Sequence, residues 1–236
     1  MISQFMMKLI NVLPDSLIAY LSKKILRSYI DKYADINVQG MEKLSGISGP
    51  VLFVSNHLSN SDGLVLNKVL KDKDVIFVAG IKLGKNKLTK LGMHAVKNIP
   101  IKPNSADKEA ISTVVKTLKS GKNILIFPEG TRSRTASMIE GKSGTYLIAK
   151  MAKVPIIPIG LWGTEKLLPI STKDMAMEKF QYAKVNVNIG NAISIPKINE
   201  GEDKKEYRKR AMDHIMISIA KLIPKNYRGE FEDKIK

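Results

Sequence analysis

The clearest strand signal in the chain, followed directly by a polar loop, is Ile124-Leu125-Ile126-Phe127-Pro128-Glu129-Gly130-Thr131-Arg132-Ser133. Its first four residues form a short apolar run with turn-forming residues on both sides, which is typical of a buried strand. The residues from Pro128 onward form a loop of mixed charge. Further apolar runs that predict strands lie at 51–54, 75–78, 96–101 and 156–159.

Helical patterns separate these runs along the chain. They cover 105–121, 142–152 and 203–222, the last of which is strongly basic. Strands that alternate with helices predict an α/β fold, with a mostly parallel central sheet flanked by helices. Alternating apolar residues at 185–189 predict an edge strand or a half-exposed strand, and 168–182 is expected to form a loop over a site.

The N-terminal segment differs from the rest of the chain. Residues 1–13 are mostly apolar, Pro14 and Asp15 indicate the start of a second helix, and Lys23, Lys24 and Arg27 mix with apolar residues there. No apolar run is long enough to predict a membrane-spanning helix. We interpret 1–33 as an N-terminal amphipathic helical hairpin that docks on a membrane, and 34–236 as the catalytic domain. The alternative is a helical hairpin that covers the core.

The net charge of the chain limits the classes of partner that it is expected to bind. With 39 Lys and Arg against 22 Asp and Glu, the net charge is +17, which favours a polyanionic partner such as nucleic acid, an anionic membrane or a phosphorylated substrate. The absence of cysteine excludes disulfides, thiolate zinc sites and a cysteine nucleophile.

A histidine and an aspartate follow the first predicted strand. Ligands of open α/β sheets gather at the carboxyl ends of the strands, where Asn56-His57 and Asp62 are expected to lie. Asp62 can accept one ring N–H of His57 and leave the other nitrogen free as a general base. A substrate hydroxyl can then be the nucleophile. Taken alone, this spacing is a weak signal, and an ordinary loop histidine with a helix-capping aspartate is the better interpretation of it.

The loop after the strand at 124–127 offers complementary groups. Gly130 permits close backbone approach, and Arg132 presents a planar fork of donors suited to a phosphate. A surface turn with a salt bridge is the alternative interpretation.

Together these segments resemble a known family. Asn56-His57-x-x-x-x-Asp62 and Phe127-Pro128-Glu129-Gly130-Thr131-Arg132-Ser133 are similar to the paired motifs of the glycerolipid acyltransferases, typified by 1-acylglycerol-3-phosphate acyltransferase. Gly141-Lys142-Ser143-Gly144 and the strand at 154–159 agree with the same family. The resemblance covers about residues 51–163.

The resemblance implies transfer of a fatty-acyl group from a thioester to lysophosphatidic acid or a related lysophospholipid in phospholipid biosynthesis. By it, His57 is the base and Asp62 orients the ring. By it, Glu129, Gly130 and Arg132 help to hold the acceptor. We also predict acceptor contacts for Asn56, Lys102, Thr131 and Lys142. No metal or bound cofactor is implied; the donor is acyl-coenzyme A or an acylated carrier protein, and the location is the cytoplasmic face of the membrane, as a peripheral or monotopic protein.

One position departs from the family. The family usually has an acidic residue followed by Arg after the third predicted strand, where this chain has Lys102-Pro103. Lysine supplies charge without the bidentate geometry of arginine, so the acceptor headgroup stays open, and an acyltransferase for a different lipid acceptor is the alternative.

Other functional classes fit less well. Gly141-Lys142-Ser143 lacks the earlier glycine of a phosphate-binding NTPase loop, the three histidines lack ligand spacing for a metal, and no serine-hydrolase elbow is present. The rival from another class is a nonenzymatic basic protein that binds nucleic acid. Its support is the charge, but the low aromatic content and the lack of a nucleic-acid-binding module argue against it, so we expect no nucleic-acid partner.

Overall fold

A computed structural model of the protein describes residues 14–80, 96–102, 107–171 and 178–235. The strands are β1 (Ala34–Gln39), β2 (Leu52–Ser55), β3 (Ile76–Gly80), β4 (Asn98–Ile101), β5 (Ile124–Ile126), β6 (Ile156–Trp162) and β7 (Ala183–Ile189). The α-helices are α1 (Asp15–Tyr33), α2 (Asp62–Val69), α3 (Lys108–Lys119), α4 (Ser143–Ala152), α5 (Thr164–Leu167) and α6 (Lys204–Ala220).

The strands form one sheet in the order β1-β7-β6-β2-β5-β3-β4. The five strands from β6 to β4 are parallel, β7 is antiparallel to β6, and β1 is parallel to β7. The predicted α/β class with a mostly parallel sheet is confirmed. In this arrangement the carboxyl ends of β2 and β5 lie side by side, because the two strands pair directly and run the same way.

Helices cover both faces of the sheet, as the side chains of β2 show. Leu52 and Val54 belong to the apolar cluster that includes residues of α3, α4 and α6, whereas Phe53 belongs to the cluster that includes Ile30 of α1 and Val65 of α2. Successive side chains of a strand point to opposite faces, so each face carries its own core. Both candidate loops therefore begin from a strand that is held on two sides.

The sequence left open whether residues 185–189 form an edge strand or a half-exposed strand, and the structure decides between the two. Strand β7 pairs with β1 on one side and β6 on the other, so it is not an edge strand, and its alternating burial matches the half-exposed alternative. Strand β1, which was not predicted, lies at the edge instead.

The predicted N-terminal hairpin falls only partly on described residues. α1 begins at Asp15, directly after Pro14, where the sequence predicts a helix start. Residues 1–13, which would form the first helix of the hairpin, lie outside the described residues. No helix among the described residues is long and apolar enough to cross a membrane.

Candidate active site

The first candidate loop leaves β2 at the carboxyl edge of the sheet. Asn56 is fully buried; its Nδ2 donates to the Leu161 carbonyl at 2.7 Å, and its Oδ1 accepts from the Leu161 N–H at 2.9 Å. These two bonds join the end of β2 to β6 and fix the position from which His57 projects. Both polar atoms of the Asn56 side chain thus bind the main chain of β6, which differs from the acceptor contact predicted for this residue.

His57 and Asp62 form a hydrogen-bonded pair. Asp62 is fully buried at the first turn of α2, and its Oδ2 accepts from His57 Nδ1 at 2.7 Å, from the Leu58 N–H at 2.6 Å and from the Ser59 N–H at 2.9 Å. Because these main-chain donors fix the carboxylate as an acceptor, the proton lies on Nδ1 and the other ring nitrogen, Nε2, is left as a base. The predicted pairing of the two residues is present.

The aromatic ring of Phe127 fixes the orientation of the imidazole. The two rings stack with their centroids 4.1 Å apart and their planes inclined by 14°. Asp62 on one edge and Phe127 on one face leave the His57 side chain 20% exposed. The ring therefore has little freedom to rotate and remains accessible to a substrate.

Glu129 connects the second loop to the first. It is buried, its Oε1 accepts from the His57 N–H at 2.9 Å, and its Oε2 accepts from the Ile139 N–H at 3.3 Å. Burial raises the pKa of Glu129 to about 8, although both main-chain donors oppose the rise. In the other direction, the Ser133 N–H donates to the His57 carbonyl at 2.8 Å. Both carboxylate oxygens thus contact the main chain, so Glu129 positions His57 in this structure.

The remainder of the second loop lies against the start of α4. Gly130 has a φ of +67°, and a Cβ at this position would lie 3.2 Å from Cγ of Lys142. The Lys142 N–H donates to the Pro128 carbonyl at 2.8 Å. Thr131 and Lys142 are exposed beside this turn. The structure therefore brings Gly130, Thr131 and Lys142 together at the surface of one loop.

Arg132 forms a salt bridge with an acidic residue of the protein itself. Its Nη1 donates to Glu178 Oε1 at 2.9 Å, and Asn60 Nδ2 donates to Glu178 Oε2 at 2.6 Å. Asn60 belongs to the loop between His57 and Asp62, so Glu178 joins the two candidate loops. Glu178 lies in the predicted loop over the site, residues 168–182, of which the structure describes all but 172–177.

Lys102 lies farther from this cluster. It follows β4, and three strand spacings separate β4 from β2, which corresponds to roughly 14 Å. Its N–H donates to Asp107 Oδ2 at 3.0 Å, and its side chain is exposed. Lys102 is thus on the same edge of the sheet but is not shown next to His57.

No group of acidic, histidine or cysteine side chains within the described residues has an arrangement that could hold a metal ion. Of the three histidines in the sequence, His94 lies outside the described residues.

The family comparison agrees with this geometry. A model of the acyltransferase family matches residues 35–162, which include β2, both candidate loops and β6. The chain belongs to the acyltransferase family. The His57–Asp62 pair and the Glu129–Arg132 loop both lie inside the matched region of this acyltransferase.

Curated relatives of this acyltransferase share one name. A chloroplastic 1-acyl-sn-glycerol-3-phosphate acyltransferase of Arabidopsis thaliana is 30% identical over 141 residues, covering 58% of this chain and 39% of the relative. A 1-acyl-sn-glycerol-3-phosphate acyltransferase of Streptococcus pneumoniae is 29% identical over 154 residues, covering 65% of this chain and 53% of the relative. The matches therefore span about half of these relatives' own length or less.

A solved structure shows the same fold. The crystal structure of the 1-acyl-sn-glycerophosphate (LPA) acyltransferase PlsC from Thermotoga maritima superimposes with a TM-score of 0.56 and 23% identity. The alignment covers 88% of this chain and 79% of the Thermotoga maritima chain. Identity at this level supports the fold assignment and nothing finer.

Sequence reasoning missed two residues that shape the site. Phe127 was recognised as part of the strand and the motif, but nothing in its position indicated stacking on His57. Glu178 is 46 residues beyond Arg132 and carries no motif. The available signal was an acidic residue, able to pair with Arg132, in the loop predicted to cover the site.

Proposed function

We propose that this acyltransferase moves a fatty-acyl group from an acyl thioester to the hydroxyl of lysophosphatidic acid or a related lysophospholipid. The observation that carries the proposal is the His57–Asp62 pair, with a 2.7 Å hydrogen bond and a partly exposed ring beside the Arg132 loop. The shared name of the relatives supports the acceptor class. The product would enter phospholipid biosynthesis.

In the proposed reaction, His57 Nε2 takes the proton of the acceptor hydroxyl as that oxygen attacks the thioester carbonyl carbon. Asp62 holds the Nδ1 proton and stabilises the imidazolium that forms. The tetrahedral intermediate then expels the sulfur, which leaves as a thiol by taking the proton from His57. The products are an ester and a free thiol, and His57 returns to its neutral form.

The acceptor phosphate is proposed to lie near Arg132. A guanidinium can hold a phosphate through charge-assisted bonds, and fixing the phosphate makes the attack by the hydroxyl effectively intramolecular. Lys142 and the first N–H groups of α4 would assist, since a helix N-terminus favours an anion. Lys102 would contribute long-range charge. Asn56 and Glu129 would act by positioning His57, and Gly130 and Thr131 would shape the loop.

The membrane would supply the lipid acceptor. We propose that residues 1–33 dock on an anionic bilayer at the cytoplasmic face and that residues 34–236 form the acyltransferase domain. α1 supports this assignment because it exposes Leu17, Tyr20, Leu21, Ile25 and Tyr29 together with Lys23, Lys24 and Arg27. The donor is proposed to be acyl-coenzyme A or an acylated carrier protein.

The test is a mass-spectrometric assay of the purified protein with acyl thioesters and a panel of lyso-acceptors. We expect transfer to lysophosphatidic acid, and we expect Arg132→Ala to raise the KM for this acceptor by tenfold or more, since charge-assisted bonds are about twice as strong as neutral ones. A neutral acceptor, monoacylglycerol, should be affected far less. Lys102→Ala should give a smaller defect of the same kind. Equal loss with both acceptors would contradict the phosphate assignment.

A further inference from the structure

Glu178 is held between the two candidate loops by a donor from each. Arg132 Nη1 lies 2.9 Å from one carboxylate oxygen, and Asn60 Nδ2 lies 2.6 Å from the other. The side chain of Glu178 is 3% exposed and that of Arg132 is 13% exposed. The carboxylate is therefore enclosed, and the guanidinium that would bind the acceptor phosphate is already neutralised.

The donors around Glu178 suit a phosphate better than a carboxylate. Arg132 offers a planar fork that can engage two oxygens of one phosphate. A phosphate monoester brings three oxygens and a charge between about −1.5 and −2 at pH 7, against two oxygens and −1 for a carboxylate. Both ligands would use the same charged nitrogen, so they compete for it.

We propose that Glu178 occupies the acceptor-phosphate subsite of Arg132 in the unloaded enzyme and that the acceptor phosphate displaces it. This inference rests on the proposed function. Glu178 is then a specificity-determining residue, because it keeps the charge of Arg132 paired until a strongly charged acceptor arrives. It does not take part in proton transfer.

The residues that follow Glu178 are anchored, which restricts how the carboxylate leaves Arg132. Phe180 packs on Tyr29 and Tyr33 of α1, with ring centroids 5.3 Å and 6.3 Å apart. The Gln181 N–H donates to the Leu167 carbonyl at 2.8 Å. With the main chain fixed on this side, rotation about the side-chain bonds of Glu178 is the direct way to free Arg132.

Internal competition predicts a selective effect on acceptors. An acceptor that needs Arg132 binds only the fraction of molecules in which Glu178 has moved away, so its apparent affinity falls by that fraction. A neutral acceptor that does not contact Arg132 is unaffected. Removing the charge of Glu178 should therefore strengthen binding of phosphate acceptors alone.

The first experiment compares Glu178→Gln with Glu200→Gln, a matched change at an exposed acid in the loop after β7. If the pair is closed in about nine molecules of ten, Glu178→Gln lowers the KM for lysophosphatidic acid about tenfold. The KM for monoacylglycerol should stay within about twofold, and Glu200→Gln should match the wild type. Asn60→Ala, which removes the other donor to Glu178, should shift the KM for lysophosphatidic acid in the same direction by less.

Two results would overturn the proposal. An unchanged or higher KM for lysophosphatidic acid in Glu178→Gln would show that the carboxylate does not compete with phosphate. Equal loss of kcat with both acceptors, in a variant with the wild-type melting temperature, would show that Glu178 is only a brace between the loops.

A binding measurement separates this inference from the proposed function. Calorimetric titration with glycerol 3-phosphate needs no acyl transfer. We expect tighter binding by Glu178→Gln than by the wild type, and loss of the gain when Arg132→Ala is added. If the wild type transfers acyl groups to no acceptor, the proposed function fails, while the titration still decides whether Glu178 competes for Arg132. Equal binding by wild type and Glu178→Gln would overturn the competition.

Discussion

At the scale of single residues, the site depends on one buried carboxylate oxygen. Asp62 Oδ2 accepts three hydrogen bonds, whereas Oδ1 is buried and has no hydrogen-bond partner among the described residues. Two of the three donors are main-chain N–H groups that hold Asp62 whatever the state of His57. The aspartate is therefore fixed by the fold, and the histidine is in turn fixed by the aspartate.

Substitutions of His57 and Asp62 should separate the role of the base from the role of the residue that orients it. We expect His57→Ala to lower kcat by on the order of 10²–10⁴-fold, because a positioned base contributes about that much. Asp62→Asn should retain the fold but lose much of the rate. Its amide oxygen can still accept at the position of Oδ2, but a neutral amide stabilises the imidazolium far less than a carboxylate does. Steady-state kinetics at matched melting temperature measure both effects. A folded His57→Ala protein with wild-type turnover would contradict the mechanism.

Glu129 gives the protein a pH-dependent stability. Its pKa is about 8 in the folded protein against 4.5 for an ordinary Glu. Between these values the folded state holds a proton that the unfolded state has lost, so the free energy of unfolding falls as pH rises from 4.5 to about 8 and then levels off.

Glu129→Gln should remove this slope. We expect the melting temperature of the wild type to fall between pH 5 and pH 8 and that of the variant to change less, even if the variant is less stable overall. Glu202→Gln is a suitable control. Hydrogen bonding to Arg210 lowers the pKa of Glu202 to about 2, so its substitution should leave the slope between pH 5 and pH 8 unchanged. Thermal melts across the window measure the difference, and identical slopes in the wild type and Glu129→Gln would refute it.

At the scale of elements, α1 has two different sides. Ile30 is buried against the core, and Lys68 of α2 pairs with Asp31 at 2.6 Å, so the C-terminal part of the helix is fixed to the domain. Leu21 and Ile25 on another side are 38% and 47% exposed. An exposed apolar side mixed with cations is typical of a helix that lies in a membrane interface.

Polar substitutions on that side should weaken membrane binding. We expect Leu21→Ser with Ile25→Ser to reduce binding to anionic vesicles by about tenfold or more, because burying each apolar side chain contributes roughly 1.5–3 kcal/mol. Met151→Ser, a similar change at an exposed apolar residue of α4, is the control. Vesicle co-sedimentation at two salt concentrations measures the effect. Equal binding by all three proteins would show that this side of α1 is not the docking surface.

At the scale of the whole molecule, Tyr227 near the C-terminus contacts the segment that follows the second candidate loop. Tyr227 is buried, its hydroxyl donates to Glu165 at 2.8 Å, and its carbonyl accepts from the Met138 N–H at 2.8 Å. Met138 precedes Ile139, whose N–H binds Glu129. Tyr227 thus helps to position the second candidate loop, although it is about 90 residues away from Met138 in sequence.

A substitution at Gly229 tests whether contacts of the C-terminal residues with Met138 matter for stability and activity. The φ of Gly229 is +52°, and a Cβ there would collide with the carbonyl oxygen of Met138. Gly46 has a φ of +79° with open space around the Cβ position, so it controls for backbone strain alone. We expect Gly229→Ala to be less stable than Gly46→Ala by about 1–3 kcal/mol, the usual cost of overpacking, and to lose activity. Denaturant unfolding and kinetics measure both, and equal stability of the two variants would contradict the argument.

The α/β class and the positions of the two candidate loops could be predicted from the sequence alone. Both depend on local information: the runs at 51–54 and 124–127 are apolar enough to be buried whatever surrounds them, and the motif residues follow within a few positions. The His57–Asp62 bond is equally local, because five residues suffice to bring Asp62 back to the ring.

The contacts of each motif residue, in contrast, could be seen only in the folded structure. Asn56 faces Leu161, Glu129 faces the main chain of His57, and Arg132 faces Glu178, and none of these partners lies within 40 residues of its neighbour. Strand β1 was missed for the same reason, since its half-exposed residues form a strand only because β7 lies beside them. Pairing across such distances depends on the order of strands in the sheet, which no local pattern encodes.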